Sequence, residues 1–158
     1  MGCCKSIEEK YKLAWENIIL PMRCPYAEGE LGPDEEEIWE SDYIWTKKII
    51  REDFDIKNAD GHNIRATFYY MGEKSKVKPC VLYLHAKGGC RIEIRSIKST
   101  LFKKGEELCL CTFDFPGNGK SEGTYVTLGL KEKTDTRLII NKLKTQFHIG
   151  TKFFCIIP

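Results

Sequence analysis

Gly119-Lys120-Ser121-Glu122-Gly123 matches the G-x-S-x-G pattern that carries a nucleophilic serine in acyl-transfer enzymes. That chemistry needs the serine pinched between a strand and a helix. Ser121 instead stands six residues beyond Phe115, inside a Gly- and Pro-rich stretch, 116–123, and reads as a loop residue. Gly119-Lys120-Ser121 also matches the end of a phosphate-binding loop. The first glycine of G-x-x-x-x-G-K-[ST] would fall on Asp114, whose charge would repel phosphate. Cys155 lies within an apolar run near the last residue of the sequence and reads as core. His62 follows a turn and His148 a helical stretch, and both read as surface residues. His85 closes an apolar run. The eight cysteines form no C-x-x-C pair, so zinc chemistry is not indicated.

The sequence starts Met1-Gly2-Cys3-Cys4-Lys5-Ser6, which fits the N-myristoylation pattern M-G-x-x-x-[ST] at Gly2. Cys3 and Cys4 are candidates for S-palmitoylation. A single myristoyl chain binds membranes only marginally, with an association constant on the order of 10⁴ M⁻¹, and a second acyl chain makes residence stable. These residues predict attachment to the cytoplasmic face of a membrane, where most thiols are free. The chain of 158 residues is 42% hydrophobic and 30% charged, an ordinary globular composition. A formal net charge of +2, with no basic stripe, gives no argument for nucleic acid. The longest apolar runs, such as 80–85 and 153–158, are too short to span a bilayer.

The elements that must position these residues follow from periodicity. Ser6 and Glu9 form a capping-box pattern. Ile7, Tyr11, Ala14, Trp15, Ile18 and Ile19 then recur at helical spacing over about four turns, until Pro21. The polar face holds Glu8, Glu9 and Glu16 and is not basic, so packing of the apolar stripe on the domain is expected over contact with lipid. Residues 21–42 are expected to be loop, and 43–158 an α/β domain. A strand over Tyr43–Lys57 is predicted, then a turn at Asp60-Gly61, then an alternating strand over Asn63–Tyr70. Continuous apolar runs at Pro79–His85, Leu108–Phe115 and Thr151–Pro158 predict strands buried on both faces. Helical patterns at Ile92–Lys104 and Leu130–Gln146 separate them. The fold class is α/β, with an antiparallel hairpin leading into a parallel β-α-β-α-β sheet.

Val81-Leu82-Tyr83-Leu84-His85-Ala86-Lys87-Gly88-Gly89 resembles the third strand and His-Gly oxyanion turn of the α/β-hydrolase superfamily. Phe113-Asp114-Phe115-Pro116-Gly117-Asn118-Gly119-Lys120-Ser121-Glu122-Gly123 is similar to its D-x-x-G-x-G-x-S loop after the fourth strand. Tyr125-Val126-Thr127-Leu128-Gly129 and Leu31-Gly32-Pro33 look like the serine-aminopeptidase-like subgroup (S33-type). The resemblance runs from about Trp15 onward and covers the N-terminal half of such a domain, a truncated α/β-hydrolase fold.

The resemblance implies hydrolysis of an ester, thioester or amide by a serine, a histidine and an orienting acid. It implies an oxyanion donor at the Lys87 backbone, with His85 and Ala86 shaping the turn. Ala86 replaces the family's glycine, and a left-handed backbone there would be strained. The family's nucleophile, acid and histidine all follow its fifth strand, here Thr151–Pro158. No catalytic residue, metal or cofactor is therefore assigned. The expectation is the N-terminal part of a membrane-tethered serine hydrolase-like protein, inactive by itself. The alternative is a non-catalytic, lipid-anchored pseudo-hydrolase. An enzyme with an unrelated site ranks last. Partners expected are a membrane surface and a protein covering the edge of the last strand.

Overall fold

The computed structural model describes residues 6–39, 46–72, 78–103, 108–149 and 153–156. Helix α1 spans Ile7–Ile19 and strand β1 Glu35–Trp39. Strands β2, Thr46–Lys57, and β3, Asn63–Met71, are followed by β4, Cys80–Tyr83, and helix α2, Ile94–Lys103. Strand β5, Cys109–Phe113, helix α3, Glu132–Gln146, and strand β6, Phe153–Ile156, complete the order. The six strands form one sheet in the order β1-β2-β3-β5-β4-β6.

The front of the sheet is antiparallel: Lys57 pairs with Asn63 across the β2–β3 hairpin, and Phe68 pairs with Cys111 where β3 meets β5. The back is parallel, with Cys80 opposite Cys109 and Phe153. The predicted hairpin and β-α-β-α-β unit are therefore both present. Alternate residues of the buried strands serve opposite faces. Cys80, Leu82, Cys109, Cys111 and Phe113 pack with Ile139, Leu143 and Phe147 on the α3 side. Val81, Tyr83 and Leu110 pack with Ile94 and Phe102 on the α2 side. Burial on both faces explains why these strands read as continuous apolar runs. The cysteines in them act as small hydrophobes.

Two expectations need correction. Residues 21–42 are not all loop: a 3-10 turn forms at Glu28–Leu31, and β1 adds an outer strand paired with β2. Glu35-Glu36-Glu37 has the composition of a solvated segment, since acidic residues disfavour strands. Here Glu35 pairs with Lys48 and Glu36 with Lys98, which supports a charged, aggregation-resistant edge. The second correction concerns α1. Its capping box forms as predicted, with Ser6 Oγ accepting from Glu9 N–H at 3.1 Å and Glu9 accepting from Ser6 N–H at 3.0 Å. Yet no residue of α1 is buried, and of the stripe only Ile19 is half-buried, so most of it does not pack on the domain. His148 is exposed, but His62 is only half-exposed, because the hairpin turn folds back toward α3. Cys155 lies on β6, and its side chain falls outside the described residues.

Candidate functional site

Strands β4 and β5 run parallel and end side by side, the position at which α/β sheets place their ligand crevices. The turn after β4 is closed by a hydrogen bond from Gly89 N–H to the Ala86 carbonyl at 2.9 Å. Its left-handed residue is Gly88, with φ 78°, and not Ala86. Ala86 is thus accommodated without backbone strain, and the distortion expected from replacing glycine there does not arise. Gly88 N–H donates to Asn118 Oδ1 at 3.3 Å, tying this turn to the loop after β5.

His85 performs the same tie on a second line. Its Nε2 accepts from Phe115 N–H at 3.0 Å, which fixes the hydrogen on Nδ1, and Nδ1 donates to the Ala86 carbonyl at 2.8 Å. The imidazole is 4% exposed and meets the Phe115 ring edge-on at 5.2 Å. Both ring nitrogens are engaged, so the structure gives His85 a turn-shaping place and leaves it no free nitrogen for proton transfer.

The loop after β5 is organised around Asp114, which is fully buried. Its Oδ1 accepts from Arg91 N–H at 2.7 Å, and its Oδ2 accepts from Tyr26 hydroxyl at 2.6 Å and Lys120 N–H at 2.8 Å. Burial, reinforced by hydrogen bonding to the Asp114 carboxylate, pushes the Tyr26 phenol far above its ordinary range. Gly119, at φ 45°, sits against this carboxylate so closely that a Cβ would lie 2.3 Å from it. Ser121 is 1% exposed. Its hydroxyl donates to the Asp114 carbonyl at 2.6 Å and accepts from Arg65 N–H at 2.8 Å. Ser121 is therefore a loop fastener. Arg23 clamps the same loop from outside, donating to the carbonyls of Gly119 at 2.9 Å and Ser121 at 2.7 Å, and to that of Gly123.

Between turn and loop lies a cavity of about 200 Å³. His85, Ala86 and Lys87 line one side, Phe115, Val126 and Leu128 the other, with Glu132 at the end near α3. Burial alone would raise the Glu132 carboxyl, but the Thr127 hydroxyl and amide and the Gly129 amide donate to it and hold it below the usual carboxylate range. The Lys87 ammonium donates to the Asn17 carbonyl at 2.8 Å and fastens the end of α1 to the cavity rim. The Lys87 backbone N–H makes no hydrogen bond among the described residues, and Lys87 is exposed.

This arrangement can offer a backbone donor to an oxygen carrying negative charge. Among the described residues it presents no nucleophile beside a base. Buried thiols do not substitute: burial, with Cys24 as hydrogen-bond partner, pushes Cys90 up to about 12, and burial pushes Cys109 up to about 11. Among the described residues no three His, Cys, Asp or Glu side chains converge on a metal-sized space. No described helix is long and apolar enough to cross a membrane. Gly2, Cys3 and Cys4 lie outside the described residues.

Sequence reasoning missed the centre of this network, Arg91. Its guanidinium is wholly buried and meets Glu28, Asp53, Thr67 and Asp114. A lone arginine between Cys90 and Ile92 carries no periodic signal of burial. Arg23, which is exposed, was missed because the carbonyls it clamps lie 96 and 98 residues away in the sequence.

No family model matches the sequence, and neither does any curated protein. Solved structures do match. The Pyrococcus furiosus esterase Pf2001 aligns over 88% of this chain and 46% of its own, with a TM-score of 0.57 at 22% identity. An acetyl xylan esterase from Paenibacillus sp. R4 aligns over 99% of this chain and 53% of its own, with a TM-score of 0.55 at 14% identity. At such identity the likeness is one of fold: the sheet is that of an α/β-hydrolase. The chain spans about half the length of these structures.

Proposed function

We propose that this chain is the N-terminal part of a serine hydrolase-like protein of the serine-aminopeptidase-like type, held at the cytoplasmic face of a membrane by acyl chains on Gly2, Cys3 and Cys4. One observation carries the reading: the unengaged Lys87 N–H lies in a turn that His85 and Asn118 fasten to the loop after β5, beside an apolar cavity. A carbonyl oxygen of an ester, thioester or amide would receive this N–H as it gains charge. The nucleophile, acid and general-base histidine would come from sequence beyond residue 158, and residues 1–158 alone would turn over no ester.

The test is fluorophosphonate labelling of this chain and of a chain extended through its downstream coding sequence. The extended chain should label at a serine beyond residue 158 and the shorter one nowhere. Labelling at Ser121 would overturn the reading. Its membrane half is checked by cell fractionation, where Gly2→Ala should release the protein from the membrane pellet.

A second reading is a non-catalytic, lipid-anchored interaction protein. It is favoured by the structural commitment of both Ser121 and His85. Such a protein would use the edge of β6, paired among the described residues only with β4, to add a partner's strand. Recovery of a stable 158-residue chain from cells in a stoichiometric complex would favour it.

A further inference from the structure

Among the described residues nothing covers most of the apolar stripe of α1. Ile7, Tyr11, Trp15 and Ile18 share one helical face, and they are 87, 75, 41 and 51% exposed. The helix meets the domain beside this face, along an edge that includes Ile19, the last residue of the apolar series. Glu16 and Ile19 are its two half-buried residues. The Asn17 carbonyl accepts from Lys87 Nζ at 2.8 Å and the Ile19 carbonyl from Val126 N–H at 2.8 Å. On a helical wheel Glu16 and Ile19 stand roughly 90–150° from the centre of the stripe, so the stripe points away from the domain.

The chain outside the structure at this end indicates what covers it. Five residues precede Ser6, and they carry the acylation motif. From Cys4 to Ile7 an extended chain reaches roughly 10 Å at most. Acyl chains entering a bilayer at Gly2–Cys4 would therefore hold the first turn of α1 at the headgroup boundary. Charge does not select this occupant, but it sets the character of the contact. Lys5, Lys10 and Lys12 balance Glu8, Glu9 and Glu16, so attraction to an anionic surface is weak and apolar burial must dominate.

We propose that α1 is an interfacial helix, lying flat in the headgroup–acyl boundary with Ile7, Tyr11, Trp15 and Ile18 immersed. Its ties to Lys87 and Val126 hold the cavity rim at a fixed height above the lipid. This deepens the reading of an acylated anchor and rests on it for the helix's position.

The experiment uses the full chain, myristoylated by co-expression with an N-myristoyltransferase and checked by intact mass. It is mixed with phosphatidylcholine vesicles bearing brominated acyl chains. Trp15 emission should shift to the blue and be quenched, and Trp15→Phe should remove that quenched component. The triple variant Ile7→Asp, Tyr11→Asp, Ile18→Asp should be equally myristoylated and melt as the parent does, since those side chains are exposed. Its vesicle binding should fall about tenfold or more. Added phosphatidylserine or high salt should change little. The single variant Trp15→Asp gives the same comparison with one exposed change. If the myristoylated chain binds but Trp15 stays unquenched and the variants bind equally, the helix is not interfacial while the anchor stands. A stripe occupied by a second copy, seen as a dimer that the triple variant dissolves without loss of vesicle binding, also overturns the proposal. Quenching of Trp15 in a chain that cells leave unacylated would keep the interfacial helix and remove the anchor.

Discussion

The Arg91 guanidinium lies 3.5 Å from the Asp114 carboxylate, both wholly buried, while the Arg91 backbone amide donates to the same carboxylate at 2.7 Å. One residue therefore binds Asp114 with side chain and main chain together. The pair joins the segment after the β4 turn to the loop after β5. Glu28 and Asp53 supply the remaining charge that a buried guanidinium needs, and Thr67 Oγ1 accepts at 2.7 Å. Charges taken out of water persist only when paired and hydrogen-bonded on this scale.

Arg91→Ala should destabilise the chain by about 3–5 kcal/mol, because the fully buried Asp114 would be left without its cation, while Asp53 keeps Arg51. Arg91→Lys should recover only part of this, since an ammonium cannot reproduce the planar fork. Urea denaturation followed by far-UV circular dichroism measures both. A loss under about 1 kcal/mol for Arg91→Ala would show that water replaces the guanidinium.

Glycines in this fold divide by what surrounds them. At Gly119 a Cβ would lie 2.3 Å from Asp114 Cγ, in a left-handed backbone, so Gly119→Ala must displace the carboxylate that three donors hold. At Gly61 nothing lies within 4 Å, and only the left-handed backbone at φ 83° opposes a side chain. Gly61→Ala should cost about 1–2 kcal/mol. Gly119→Ala should cost clearly more, shown by a larger drop in urea midpoint.

The central strands were legible because burial on two faces writes unbroken apolar runs, as at 80–83 and 109–113. The hairpin was legible from alternation and Asp60-Gly61. The Lys87 turn was legible from motif order. Strand β1 was not, because Glu35-Glu36-Glu37 is stabilised by Lys48 and Lys98, which are distant in sequence. The exposure of the α1 stripe was not, because periodicity reports that a face is apolar and not what covers it. Arg91 was not, because its burial depends on partners from separate segments of the chain, among them Tyr26, Glu28, Asp53, Thr67 and Asp114.

Ser121→Ala tests the serine that the sequence makes most tempting. It removes the acceptor of Arg65 N–H and the donor to the Asp114 carbonyl, both in the interior of the loop. The expected cost is about 1–3 kcal/mol of stability. Fluorophosphonate labelling of a chain extended past residue 158 should persist, because Ser121 holds the loop and takes no part in attack. Thermal melting and labelling read the two effects separately.

The thiols should alkylate in order of burial. Cys24 is half-exposed, whereas Cys109 and Cys111 are buried on β5, on the face that packs against α3. Burial pushes Cys109 up to about 11, so only ~10⁻³ of its thiols are ionised near pH ~8. Burial pushes Cys111 higher still. Among the five described cysteines, iodoacetamide on the native chain should modify Cys24 first, read by peptide mass spectrometry. Early modification of Cys111 would mean that the sheet opens readily.

Asp135 carries the pH prediction. It is 4% exposed on the first turns of α3, where Oδ1 accepts from Asn58 Nδ2 at 3.2 Å and Oδ2 is buried with no partner among the described residues. Burial raises its carboxyl above the ordinary value, and Glu132 and Asp60 push the same way against the Asn58 hydrogen bond. The folded chain thus keeps this proton to higher pH than the unfolded chain does. Through the window above about pH 4 the folded state binds more protons, so this group's contribution to stability falls as pH rises. Asp135→Asn keeps an acceptor for Asn58 and removes the buried charge. The variant should therefore melt higher than the parent near pH ~7, and its advantage should shrink as pH drops below about 4. Thermal melts across this range decide it. A variant that melts lower at neutral pH would mean that the Asp135 carboxylate is stabilised by more than Asn58.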